Sequence, residues 1–208
     1  MPPRHSQPRK SYHHGDLRQA LLDAALDIVR RRGVAALTLR AVASQARVSH
    51  MAPYHHFADK AALIAAVAEE GFRGLQREML ERIARHPDDP RAQFRESGVA
   101  YVVFAVKNPN LFRVMFGPQV REVESHPGLQ EAAEAAFAVV QGLVERSQEV
   151  RAVRDEDSRA VGISAWALVH GIAMLCVDGQ LGQDSQNVEE AERLAYAATG
   201  TLFRGLRR

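Results

Sequence analysis

The chain has 208 residues, 46% of them apolar, and a formal net charge of +2. That apolar share is ample for a packed core in one domain or two small ones, which excludes an unfolded, charge-dominated chain. Cys176 is the only cysteine, so an intrachain disulfide is excluded and a reducing, cytoplasmic setting is expected. The charge is unevenly divided: residues 1–60 hold ten Lys/Arg against four acids, and the remaining 148 hold 17 against 21. A head of net +6 on a body of net −4 is the asymmetry expected when one end meets a polyanion.

In chain order, residues 1–14 (MPPRHSQPRKSYHH) read as a disordered basic arm without the apolar core of a secretion signal. Asp16 is placed to cap a first helix, with Gln19 three residues on as in a capping box. Leu17, Leu21, Ala24, Ala25 and Ile28 fall on one face, Arg30, Arg31 and Arg32 suit the last turn, and Gly33 supplies the stop. Thr38 caps a second helix with Leu39, Val42, Ala43 and Ala46 inward; Ser49 caps a very short third one that ends near His56. Asp59 opens a fourth helix running to about Arg85, where HPDDP breaks it.

Five further helices follow at about 91–107, 110–116, 128–149, 157–179 and 187–205, separated by Pro- and Gly-bearing or charged turns. No stretch alternates with period two, so the fold class is all-α, with about nine helices. Residues 160–177 (AVGISAWALVHGIAMLCV) form a run of 18 without Asp, Glu, Lys or Arg, near the lower limit for a membrane span. Its small residues read as a buried, closely packed helix instead, and no membrane partner is expected.

The chemistry concentrates in VSHMAPYHHFADK, residues 48–60. Two short helices joined by a tight turn, the second bearing exposed polar and aromatic side chains, make a helix-turn-helix. Such a second helix reads base edges in the major groove while its neighbours grip phosphates. Tyr54, His55, His56 and Lys60 are phosphate-type donors, and His50 and Met51 are placed for base edges. A metal site is the rival use of the histidines. However, His13-His14 and His55-His56 are adjacent pairs, and helical neighbours point about 100° apart, which suits chelation poorly. Cys176 lacks a triad, no close acid pair sits in an apolar face, and there is no glycine-rich phosphate loop. No catalytic residue, metal or cofactor is expected.

LTLRAVASQARVSHMAPYHHFADKAALIAAV resembles the DNA-binding signature of the TetR family of bacterial transcriptional regulators, carried by Thr38, Ala43, Ala46, Val48, Ser49, Tyr54, His56-Phe57, Lys60 and Leu63. The resemblance implies that Arg40, Ser49, His50, Met51 and Tyr54 approach bases, and that Thr38, His55, His56 and Lys60 hold phosphates. Arg47 departs from the pattern, because the family usually has glycine there. Either the turn is adjusted or Arg47 is strained and gains a DNA phosphate.

In the body, YVVFAVKNPNLFRVMF (101–116) and WALVHGIAMLCVDG (166–179) resemble the C-terminal region of a subgroup named for a Trp…His-Gly motif, here Trp166, His170 and Gly171. By spacing alone, Phe104, Phe112, Met115, Phe116, Phe137, Trp166, His170 and Met174 read as ordinary core; the resemblance implies a small-molecule pocket among them, with His170 as polar contact. It also implies a homodimer through the last two helices. The expected organisation is an arm (1–14), a helix-turn-helix DNA-binding domain (15–60) and a ligand-binding and dimerisation domain (61–208). The expected function is a repressor released from a palindromic operator on double-stranded DNA by a small-molecule effector. The competing reading is a ligand- and metal-binding helical protein whose basic head is merely solvated.

Overall fold

The computed structural model describes residues 14–120 and 126–206. Over them run eight α-helices and no strand: α1 (His14–Arg32), α2 (Leu39–Gln45), α3 (Lys60–Ile83), α4 (Pro90–Lys107), α5 (Pro109–Met115), α6 (Pro127–Glu149), α7 (Ser158–Val177) and α8 (Val188–Leu206). Residues 1–13 of the expected basic arm lie outside the described residues, and its last residue, His14, begins α1. Helix α1 begins two residues ahead of the expected cap at Asp16, and it ends as expected, with Gly33 at φ 74° and its N–H on the carbonyl of Val29.

Local chemistry sets most helix starts. Thr38 Oγ1 accepts from the Ala41 N–H at 3.0 Å, Asp59 Oδ1 from Ala62 at 2.8 Å and Asp89 Oδ1 from Ala92 at 2.9 Å. Pro90, Pro109 and Pro127 occupy first-turn positions, where a missing N–H is harmless. The expected third helix is instead a 3-10 turn over Ala52–His55. Pro53 has no N–H to send back to Ser49, so the segment closes with shorter bonds, Ala52 to Ser49, Tyr54 to Met51 and His56 to Pro53. The expected count of about nine included that segment.

The head is α1, α2 and the 3-10 turn, closed over Leu21, Ala25, Ile28, Val42 and Phe57. The body surrounds α4, whose stretch from Ser97 to Ala105 is buried without a break, so that helix is apolar all round and sits at the centre. A methyl at Gly98 would stand 2.5 Å from Thr199 Cγ2 and 3.0 Å from Val169 Cγ1, so glycine is what lets α4 approach α7 and α8. Arg82 ties α3 to Glu96 of α4 at 3.1 Å and to Glu192 of α8 at 2.8 Å.

Head and body share α3, whose 24 residues span about 36 Å from Lys60 to Ile83. A second link is the side-chain amide of Asn110 in α5, which donates to the Arg30 carbonyl at the end of α1, 3.0 Å away. The uncharged run falls in α7, a helix long and apolar enough to cross a membrane by length and composition. It is two-faced. Val161, Ala165, Val169, Ala173 and Cys176 are buried in the body, whereas Ala160, Ile163, Ser164, Ala167 and Leu175 are exposed.

Candidate nucleic-acid interface and effector cavity

The 3-10 turn is held from inside by Pro53 and Phe57, both buried, with the Phe57 N–H on the Pro53 carbonyl at 2.9 Å. The Arg18 guanidinium covers the outer face of the Phe57 ring at 5.6 Å. With these two residues anchored, their neighbours turn outward. Met51 is 63% and Tyr54 52% exposed, large side chains that a lone folded head has no reason to leave in water. His50, His55 and Lys60 are exposed beside them, and His56 is half-buried.

Thr38, Arg40, Arg47 and Ser49 are exposed as well. The hydroxyls of Thr38 and Ser49 accept backbone N–H groups, Ser49 Oγ from Met51 at 3.2 Å, and each retains its own proton to donate. Arg40, Arg47 and Lys60 have no ion-pair partner among the described residues. Arg47 sits at φ 56°, so the turn is not adjusted to the larger residue and carries the strain of a left-handed non-glycine position. The result is one surface of hydroxyls, imidazoles and unpaired cations, suited to phosphate oxygens and base edges. Among the described residues no three His, Cys, Asp or Glu side chains converge as a metal set.

In the body, a cavity of about 680 Å³ opens between α3, α6 and α7. Phe72, Leu75 and Met79 of α3, Phe137 and Val140 of α6, and Trp166 and Ile163 of α7 form its walls with Phe116; Glu134, Gln141 and Arg159 bring polar groups to it. Of the eight residues expected from the sequence, Phe116, Phe137 and Trp166 line it. Phe104, Phe112 and Met115 are buried in the packing behind, while His170 and Met174 are half-buried outside its lining.

Tyr101, missed by sequence reasoning, stands between His170 and the cavity. Its phenol receives the Trp166 Nε1–H at 3.2 Å and lies 2.9 Å from His170 Nδ1. Burial keeps the phenol proton on, with a pKa well above its ordinary value, the Trp166 hydrogen bond opposing weakly. Burial also lowers the His170 pKa, favouring the neutral ring. The His170 ring further meets Phe116 edge to face at 4.5 Å. The available signal was the single polar tip in the apolar run YVVFAV.

An exposed helix-turn-helix on an all-α body with a cavity defines a class of DNA-binding regulators. Residues 21–67 match the family described as bacterial regulatory proteins, tetR family, and residues 94–198 match the tetracyclin repressor-like C-terminal domain. The chain belongs to the TetR family of DNA-binding transcriptional regulators. Over 77 residues it is 39% identical to the HTH-type nicotine-responsive transcriptional repressor HdnoR of Paenarthrobacter nicotinovorans, a segment covering 37% of this chain and 39% of that one. The alignments thus span well under half the length of the curated relatives. A solved structure from Rhodococcus sp. RHA1, of unknown function, superposes with a TM-score of 0.83 at 32% identity, covering 96% of this chain and 100% of that one. The TetR-family regulator PfmR of Thermus thermophilus shares the fold, with a TM-score of 0.68 at 19% identity over 92% of this chain and 97% of that one.

Proposed function

We propose that the protein is a cytoplasmic homodimeric repressor that holds a palindromic operator and releases it when a small molecule enters the body cavity. The observation that carries this reading is the solvent-facing set Arg40 of α2, Arg47, His50, Met51, Tyr54, His55 and Lys60 of α3, on and on either side of a turn anchored by buried Pro53 and Phe57. The turn enters the major groove, Arg40, His50 and Met51 meeting base edges while Thr38, Tyr54, His55, His56 and Lys60 hold phosphates. Ser49 lies at the entry of the turn, beside the bases.

The dimer forms through α7 and α8. An exposed stripe of Ala160, Ser164, Ala167 and Leu175 on α7, without charge, fits a second copy of itself. Two-fold symmetry of the reading turns then requires a two-fold operator. Helix α3 supplies the coupling, since Lys60 begins it in the head and Phe72, Leu75 and Met79 line the cavity farther along. A ligand shifts the head spacing by its differential affinity for the two dimer forms, typically about 1–3 kcal/mol.

The test is selection of bound fragments from the source organism's DNA by purified protein at low and high salt. Recovery of a palindromic sequence, lost steeply with salt, supports the reading; no enriched sequence at either salt overturns it in favour of the ligand- and metal-binding alternative.

A further inference from the structure

The cavity's discriminating group follows from counting protons. Trp166 Nε1 is a donor only, so the Tyr101 oxygen accepts from it at 3.2 Å. The hydroxyl's own proton needs an acceptor, because a buried hydroxyl that donates to nothing is costly. The acceptor in reach is His170 Nδ1 at 2.9 Å, and burial favours the neutral ring. The bonds are assigned as running from Trp166 to Tyr101 to His170, with the His170 proton placed on Nε2. In that arrangement the Tyr101 hydroxyl has no proton left to offer a ligand, toward which its oxygen can only accept.

Tyr101 and Trp166 both line the cavity, whose other deep walls are Phe72, Met79, Phe116 and Phe137. About 680 Å³ suits a drug-sized molecule. We infer that the effector is an apolar, ring-bearing molecule carrying a hydroxyl or N–H donor, which the Tyr101 oxygen accepts and which an ether of the same shape cannot supply. Charge does not do the sorting, because Glu134 and Arg159 bring opposite signs to the same cavity. Shape complementarity comes from the aromatic walls and is shared by donor and non-donor; at Tyr101 the fixed proton order separates them. The inference rests on the cavity being the effector site.

Probe binding is tested on the full-length protein without DNA, and the effect of the phenol on affinity for the selected operator is measured separately. The probes are 4-tert-butylphenol and its methyl ether, one of which donates a hydrogen bond and the other not. Binding is followed by calorimetry and by fluorescence of Trp166, the chain's single tryptophan. The phenol is expected to bind about tenfold or more tightly than the ether, and Tyr101→Phe to bind the two alike. Equal or tighter binding of the ether by the wild-type chain overturns the proposal. So does binding of neither probe, or a preference for the phenol that survives in Tyr101→Phe. The wild-type comparison decides the matter alone if Tyr101→Phe does not fold. If discrimination is present but the phenol leaves operator affinity unchanged, the effector reading fails while the chemistry of the cavity stands.

Discussion

Tyr101 Oη and His170 Nδ1 lie 2.9 Å apart and join the central helix α4 to α7 inside the body. Burial holds the His170 pKa below its ordinary value of 6.5, and a neutral ring with a free Nδ1 can accept the Tyr101 proton. In the unfolded chain the same ring takes up its proton near 6.5, so the unfolded state binds more protons between the lowered folded pKa and that value. Stability linked to His170 is therefore complete above the unfolded pKa and is lost as pH falls through 6.5 toward the lowered one. Thermal unfolding at about pH 8 and about pH 5 should show a larger fall for the wild-type chain than for His170→Asn, since all other titrating groups are shared. Equal falls would show that the ring is not held neutral.

Arg47 at φ 56° is expected to destabilise the head relative to glycine. Arg47→Gly removes a strain of about 1–2 kcal/mol, part of which is offset by glycine's larger unfolded-state entropy. Urea unfolding should show a net gain of up to about 1 kcal/mol. A loss of stability would mean that the Arg47 side chain makes folded-state contacts worth more than the strain.

The interface divides into two classes with different signatures. Lys60→Ala and Tyr54→Ala should weaken binding to the selected operator and to an unrelated duplex alike, with Lys60→Ala, which removes one phosphate contact from each subunit, lowering the salt slope of the dimer by about two. His50→Ala and Arg40→Ala should instead change which bases are preferred, by about 1–3 kcal/mol per altered base pair. Fluorescence anisotropy on both duplexes decides; equal losses on all sequences for both pairs of variants would sink the division of roles.

Ala167 is exposed on the uncharged face of α7. Ala167→Arg should leave each subunit folded, abolish dimers in sedimentation equilibrium and remove the preference for a two-fold operator. A dimer that persists with wild-type affinity would place the interface elsewhere.

What is legible in the sequence follows from how local each signal is. Thr38, Asp59 and Asp89 cap helices through bonds spanning three residues, so those starts are readable without any tertiary contact. The helix stops at Gly33 and before Pro109 are readable for the same reason. Ser49 reads as the cap of a short helix, yet the missing N–H of Pro53 makes the segment a 3-10 turn. The cavity is harder to read. Periodicity tells which face of a helix is apolar but not how deep a side chain sits, so Phe112 and Met115, sealed in the packing, look the same as Phe116 at the wall. Tyr101 is invisible as a polar group because its partners, Trp166 and His170, are 65 and 69 residues away.

The central claim is that two reading turns on one dimer hold the phosphates and bases of a two-fold site. The most direct measurement is the salt dependence of affinity for the selected operator, compared with a duplex in which one half-site is scrambled. The account predicts a steep linear fall of log affinity with log salt on the intact site, with a slope of about −5 or steeper, and clearly weaker binding once one half is scrambled. A shallow slope, or equal affinity for the intact and half-scrambled duplexes, would contradict it.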